Sequence, residues 1–382
     1  MDQATFEGLW QNFQGQCKAE TSIYDLSAVA GEADAPLVVL VHGIGGNFRH
    51  WADPISLNVN DTWLFDLNAH PPPSTNGIAM SPPQQPGSAT SWTQVLNHNK
   101  VSYINFSQAQ SGGLLEFAVA ELVTILTTLE RTILGPYEQD VATNGGEVPP
   151  LIIVAHSRGG LVTRAALKQL GSAGVPHLRK VITLCTPHHG SYMPKLSNDY
   201  NNILQNQLDF SSLGHSLPDP LRNFMQHKVN QTLTNLANMV RDALLHSFGT
   251  LAQSTGFDEL IPNSATLQNL AQDEQPLAGV QYFSFGGSNP TFVNMFICIA
   301  GQSIHLLGIS SPFLVDLLGK VPEIVANYGG LAELDHGDSA VSLTSSHWPS
   351  PYMASHQDFH LNHMQALIDR TLEEAVLEII RN

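Results

Sequence analysis

Cysteine is nearly absent: the 382-residue chain has three, Cys17, Cys185 and Cys298. Their odd number and wide separation exclude a disulfide framework and give no zinc spacing. Cys185, inside an apolar run, reads as a small core hydrophobe. Charge is scarce as well, at 13% of residues, where ordinary domains carry about a quarter. Basic residues are the scarcer sign: 16 Lys and Arg stand against 33 Asp and Glu, a formal net charge of −17. That balance repels nucleic acid and gives no attraction to anionic membranes. An uninterrupted apolar span is also missing. The longest candidate, residues 296–314, is broken by Gly301, Gln302, Ser303, His305, Gly308, Ser310, Ser311 and Pro312, so no transmembrane segment is expected. Residues 1–20 lack a basic start followed by an apolar run. No signal peptide is expected, and a cytoplasmic location is the default.

What is present is an alternation of buried-strand runs and helical spacing. Leu37-Val38-Val39-Leu40-Val41 and Leu151-Ile152-Ile153-Val154 are short apolar, β-branched-rich runs of the kind buried on both faces of a parallel sheet. The second runs into Ala155-His156-Ser157-Arg158-Gly159-Gly160 and then an apolar helical segment, 159–170. A strand that becomes a helix within so few residues needs small side chains two positions either side of the corner, here Ala155 and Gly159. The corner lifts the Ser157 hydroxyl out of the sheet and aims the N–H of Arg158 into the same space. The first run ends in His42-Gly43-Ile44-Gly45-Gly46, whose glycines let the chain turn back and offer the N–H of Ile44 beside the neighbouring strand tip. Reactive groups at the carboxyl ends of parallel strands are where open α/β sheets keep their sites.

These segments resemble the α/β-hydrolase lipases and esterases of bacteria, in the His-Gly-Ile-Gly-Gly loop and the Ala-His-Ser-x-Gly-Gly elbow. Two further stretches extend the resemblance: Val181-Ile182-Thr183-Leu184-Cys185-Thr186-Pro187-His188-His189-Gly190-Ser191, and Gly337-Asp338-Ser339-Ala340-Val341. Cys185 and Ser339 stand where such enzymes carry glycine. The resemblance implies an α/β-hydrolase fold: a mostly parallel sheet, helices on both faces, and a largely helical cap insertion. It implies a Ser–acid–His order along the chain. Asp338 is the expected acid, with Asp335 its competitor. Of the following histidines, His363, in Asn362-His363-Met364-Gln365-Ala366-Leu367, best resembles the entry to the last helix; His360 comes next, then His347 and His356. Ile44 and Arg158 would supply backbone N–H groups to an oxyanion, with side chains of little account, and His42 and Gly43 would support that loop.

The organisation expected is one α/β-hydrolase domain over residues 1–382, with its core at about 36–190 and 279–382. Residues 1–36 read as a polar lead-in and 68–90, with six prolines and no charge, as an irregular loop. Residues 191–278 read as the cap, in places extended by 286–335. Within it Asp219-Pro220 opens an amphipathic helix through Phe248. Its apolar stripe fits either a helix packed permanently on the body or a lid meeting lipid transiently. Residues 362–380 are expected to form a closing helix.

A serine hydroxyl needs a neighbouring base, and the base a group that fixes its tautomer. Ser157, His363 and Asp338 meet that need without a cofactor. The histidines 188 and 189 with Asp335 and His336 match no metal-ligand spacing, so no metal is expected. The function implied is hydrolysis of small-molecule or lipid esters through an acyl-enzyme. An acyltransferase or amidase using the same groups, and a non-catalytic binding protein on a hydrolase scaffold, remain as alternatives at this stage.

Overall fold

Two-residue alternation, buried on both sides, builds the sheet that carries this molecule. The computed structural model describes residues 1–20, 25–54, 77–81, 90–194, 254–299, 302–310 and 336–382. In chain order the strands are β1 (Asp25–Val29), β2 (Leu37–Val41), β3 (Gly77–Ser81), β4 (Ser102–Ser107), β5 (Leu151–His156), β6 (Leu178–Leu184), β7 (Gln281–Gly287), β8 (Thr291–Ile299), β9 (Gln302–Ser310) and β10 (Ser355–Phe359). The helices that matter are α1 (Gln3–Glu20), α2 (Arg49–Ala52), α3 (Trp92–His98), α4 (Leu115–Leu129), α5 (Gly135–Asn144), α6 (Arg158–Gly174) and α7 (Ala265–Ala271), followed by a closing helix, Arg370–Arg381.

Seven strands form one sheet in the order β1-β4-β2-β5-β6-β7-β10. Only β1 runs antiparallel to its neighbour; the other pairings are parallel. Strands β2, β4 and β5 are buried along their whole length. Their alternate residues feed two layers. Leu37, Val39, Val41, Ile153 and Ala155 pack with α1, α4 and α6, while Val38, Leu40, Ile152 and Val154 pack with Trp51, Trp92, Leu96 and the closing helix. This is the α/β-hydrolase fold, with helices on both faces as expected. The central pair β2 and β5 are in direct register, Val41 opposite Ala155, so their loops leave the sheet side by side.

Four stretches depart from the sequence reading. The lead-in is not loose: Phe6, Trp10, Phe13 and Cys17 line one buried face of α1 and join the main core. Their 4-3-4 spacing is helical, masked in the sequence by Gly8, Gly15 and many Gln and Asn residues. Within the expected loop 68–90, residues Gly77–Ser81 form β3, which pairs antiparallel with β8. The uncharged stretch beyond β7 supplies β8 and β9, which pair antiparallel and complete a separate three-stranded sheet, β3-β8-β9. The closing helix begins later than 362, at Arg370, because Asp369 caps it by accepting the Leu372 N–H at 2.8 Å. Before it, the Asn362 side chain holds the N–H groups of Met364 and Gln365 in a turn.

Residues 195–253, including the amphipathic segment from Asp219, and the competitor acid Asp335 lie outside the described residues. The end of the expected cap is described: Phe257, Leu260, Leu267 and Leu270 are buried and belong to the main core.

Trp10 stacks between Phe6 and Phe13, with ring centroids 5.9 and 5.8 Å away. Trp10→Ala is expected to lower the stability by about 3–5 kcal/mol, the usual cost of emptying an aromatic site in a core. Urea unfolding followed by fluorescence and circular dichroism checks this; an unchanged midpoint would mean that α1 is not part of the cooperative core.

Candidate active site

Ser157 occupies the corner between β5 and α6 with φ 56° and ψ −132°, a conformation that L-residues avoid. Its N–H is held by the Leu184 carbonyl at 2.9 Å, which pins the corner to the next strand. The corner depends on Gly159. A Cβ there would lie 2.4 Å from the Val41 carbonyl oxygen and 2.7 Å from that of His42, so only glycine lets α6 start against the end of β2.

The structure brings the three expected side chains together. Ser157 Oγ donates to His363 Nε2 at 2.8 Å, and His363 Nδ1 donates to Asp338 Oδ2 at 2.8 Å. Asp338 is almost fully buried, at 1% exposure. Its other oxygen, Oδ1, accepts the N–H groups of Ala340 at 2.9 Å and Val341 at 2.7 Å. Those two bonds fix the carboxylate, and His363 is held a second time by its own N–H on the Asp338 carbonyl at 2.8 Å. The other histidines lie elsewhere. His360 and His347 are exposed, and His356 bonds to Ser284 and to Asp358.

Ile44 and Arg158 sit on the two loops that flank Ser157. Ile44 lies between Gly43 and Gly45 beyond β2, and Arg158 is the first residue of α6. A helix N-terminus carries partial positive charge, so α6 favours an anion beside Ser157. Gly43 closes the gap to the serine: a Cβ on it would stand 2.8 Å from Ser157 Cβ and 3.2 Å from Oγ.

His42 lies under this loop, with Nδ1 donating to the Gly43 carbonyl at 2.8 Å and Nε2 accepting the Gln108 N–H at 3.0 Å. The bond from Gln108 needs the neutral ring, since a protonated Nε2 cannot accept. Burial lowers its pKa to about 4 and that of neighbouring His50 to about 3. His156 is likewise held neutral, chiefly by burial and then by His363, and its Nε2 donates to the His363 carbonyl at 2.9 Å.

Two side chains have roles that the sequence did not disclose. The Cys185 thiol, read as core filler, is buried against the acid and donates a hydrogen bond to Asp338. Burial, and then the Asp338 charge, push its pKa well above the ordinary thiol value. Cys185 Sγ and ligand atoms of Asp338 and His363 lie within 4.8 Å of one another, a donor set that could hold a metal ion. Here those atoms are engaged in hydrogen bonds with one another. The Arg158 side chain, expected to be of little account, is 1% exposed and donates from Nη1 to the Ser111 carbonyl and from Nη2 to that of Gly113, at 2.8 and 2.7 Å. For Arg158 the available signal was a charge within an apolar neighbourhood; for Cys185 the sequence offered none.

Arg164, on the buried side of α6, pairs with Glu274 through Nε at 2.9 Å and Nη2 at 2.5 Å, and bonds the His188 carbonyl at 2.9 Å. It ties the elbow helix to the Thr-Pro-His segment and to the chain entering β7.

Sheet order and the elbow define the class: an α/β hydrolase by fold. More narrowly, the PGAP1-like alpha/beta domain matches residues 32–259, over half of the chain, and the chain belongs to that family. Asp338 and His363 lie beyond the matched residues. No curated protein sequence matches the chain. Among solved structures it is similar to the mature lipase BlEst2 of Bacillus licheniformis, at 15% identity and TM-score 0.43, covering 94% of this chain and 99% of that one. It is also similar to the enol-lactonase of Burkholderia xenovorans, at 11% identity and TM-score 0.38 over 95% and 99% of the two chains. A third is a hydrolase from Oleispira antarctica, at 10% identity and TM-score 0.40 over 94% of each. Among the described residues, no helix is long and apolar enough to cross a membrane.

The neutral His42 makes stability depend on acid. In the unfolded chain its ring takes a proton near pH 6.5, in the folded chain only near pH 4. Between those values the unfolded state binds more protons, so the contribution is complete above pH 6.5 and falls as pH drops towards 4. His42 alone is expected to remove roughly 3 kcal/mol over that window. Urea midpoints from pH 7 to pH 4 measure it, and His42→Gln should flatten the profile; an equally steep profile would discount His42.

Proposed function

We propose that this protein is a serine hydrolase that cleaves carboxylic esters, with small-molecule or lipid-like esters as substrates. The observation that carries the reading is the pair of 2.8 Å hydrogen bonds running from Ser157 through His363 to Asp338. Nε2 of His363 faces the serine with its lone pair, the state of a general base. Ser157 Oγ attacks the ester carbonyl as His363 takes its proton. Asp338 keeps the proton of Nδ1 in place and stabilises the imidazolium. The N–H groups of Ile44 and Arg158 receive the oxyanion, aided by the N-terminal end of α6. His363 then returns its proton to the departing alcohol, and an acyl group remains on Ser157. Water, deprotonated by the same ring, releases the acid.

Ser157→Ala is expected to abolish hydrolysis of p-nitrophenyl acyl esters, by about 10,000-fold or more, with circular dichroism and thermal midpoint near those of the parent. A fluorophosphonate probe should label the parent on Ser157 and leave the variant unlabelled. A parent that neither turns over esters nor takes the probe would be a binding protein on this scaffold. Adding an alcohol acceptor reports on the competing acyl-transfer outcome.

Gly43→Ala tests the path to the serine. The added methyl would stand 3.2 Å from Ser157 Oγ, where the carbonyl carbon must arrive. Turnover should fall by about 100-fold or more while the fold is kept, the scale of a disturbed oxyanion site. Unchanged kinetics would place the substrate on another side of the serine.

A further inference from the structure

The two oxyanion donors belong to different pieces of chain. Ile44 rides on the loop after β2, while the Arg158 N–H is fixed at the start of α6. Stabilising a tetrahedral oxyanion requires both to point at one spot with a spacing held to a fraction of an ångström. The sheet sets where the loops begin but not where their tips lie.

A third loop, residues 108–113 beyond β4, bridges them. Its Gln108 N–H is accepted by His42 Nε2 at 3.0 Å, and its Ser111 carbonyl accepts the Gly45 N–H at 3.0 Å. The Ile44 loop is thus tied down on both sides of Ile44. The same Ser111 carbonyl accepts Arg158 Nη1 at 2.8 Å, and the Gly113 carbonyl accepts Nη2 at 2.7 Å. Arg158 therefore touches the arrangement twice, once through its own N–H beside Ser157 and once through its guanidinium on the loop that holds Gly45. From the far side, the loop is anchored by the Gly256 N–H on the Gly112 carbonyl at 2.9 Å, and by the Ser254 hydroxyl on the same oxygen. Gly256 fits there only as glycine, since a Cβ would lie 2.0 Å from the Gly113 carbonyl oxygen.

We propose that the Arg158 side chain is a positioning residue: its two hydrogen bonds to the Ser111 and Gly113 carbonyls set the spacing of the oxyanion donors Ile44 and Arg158. The inference rests on the hydrolase reading above and adds to it a residue that acts on the transition state through another loop. A planar, forked guanidinium suits the task, because two carbonyls on either side of Gly112 are gripped in a fixed geometry that a single ammonium cannot reproduce. A positioning error of about 1 Å at such a site costs on the order of 100-fold in rate.

The test compares the parent with Arg158→Met and Arg158→Lys on p-nitrophenyl esters, with active sites counted by fluorophosphonate titration so that only folded, reactive serines enter kcat. Arg158→Met is expected to lose about 100-fold in kcat with KM within about threefold, and to lose a comparable factor in affinity for an alkyl boronic acid, which forms a tetrahedral adduct on the serine. Arg158→Lys should fall between the two. In Arg158→Ala, added guanidinium ion should restore part of kcat. Loss confined to the number of titratable sites, with kcat per site and boronate affinity unchanged, would show a purely structural residue and overturn the proposal. Should Arg158→Met fail to fold, the Lys variant gives the same reading, parental kcat and boronate affinity overturning it. Failure of the hydrolase reading looks different: the parent itself would neither turn over nor be titrated.

Discussion

The contact on which this molecule's chemistry depends is the approach of α6 to the end of β2 at Gly159. With any side chain there, a Cβ would collide with the carbonyl oxygens of Val41 and His42. The helix would have to start further out, and Ser157 would relax from its φ of 56°. Everything that meets at the site is referenced to that corner. The Leu184 carbonyl holds the Ser157 N–H, and His363 reaches the hydroxyl because Asp338 holds its ring and its backbone together. Registering β2 against β5 residue by residue then delivers the Gly43 loop beside the serine.

Around this corner the polar groups are neutral where they are most buried. His42, His50 and His156 all lie in the interior with lowered basicity; charged rings there would repel one another, and His42 would also repel Arg158. His363, set at the edge of this group, is the imidazole that joins the Asp338 carboxylate to the Ser157 hydroxyl. The neutral His42 ring accepts the Gln108 N–H at Nε2, so protonation would unfasten that side of the loop as well as charge the core. Stability and the candidate oxyanion geometry are thus lost under the same acid conditions.

The legible parts of the chain were those where local pattern and tertiary role coincide. Runs such as 37–41 and 151–154 can hardly be anything but buried strands, and the small residues around Ser157 carry a steric requirement visible in one dimension. The sequence order of Ser157, Asp338 and His363 came from a resemblance rather than from spacing, because some two hundred residues separate groups that touch only in the fold. What was missed follows the same logic. Helix α1 gets its order from four side chains inserted in a core contributed by distant strands, so its own polar composition hid it. Strands β3 and β8 define one another by pairing across more than two hundred residues, and neither run announces a partner. The Arg158 side chain reads in the sequence as of little account beside its own N–H, since nothing there says that two carbonyls, 47 and 45 residues upstream, will accept from its guanidinium.

Two residues beside the acid bear on how strain is distributed. Cys185 has φ 51° and Ser339 has φ 83°, so both hold the left-handed conformation without being glycine. Each such residue costs of order 1 kcal/mol or more and persists only where surrounding contacts over-determine it. Those contacts are on either side of the acid. The Cys185 N–H is fixed on the Phe285 carbonyl at 2.7 Å and its thiol on Asp338, while Asp338 Oδ1 grips the N–H groups just past Ser339. Together with Ser157, three strained residues bracket the acid and the nucleophile, and none lies at His363. The histidine sits in the turn that Asn362 closes on Met364 and Gln365, and Asp338 holds it by its ring and by its N–H. Strain is thus confined to the corner and to the two residues beside the acid, and the hydrogen bonds around Asp338 carry its geometry over to the histidine.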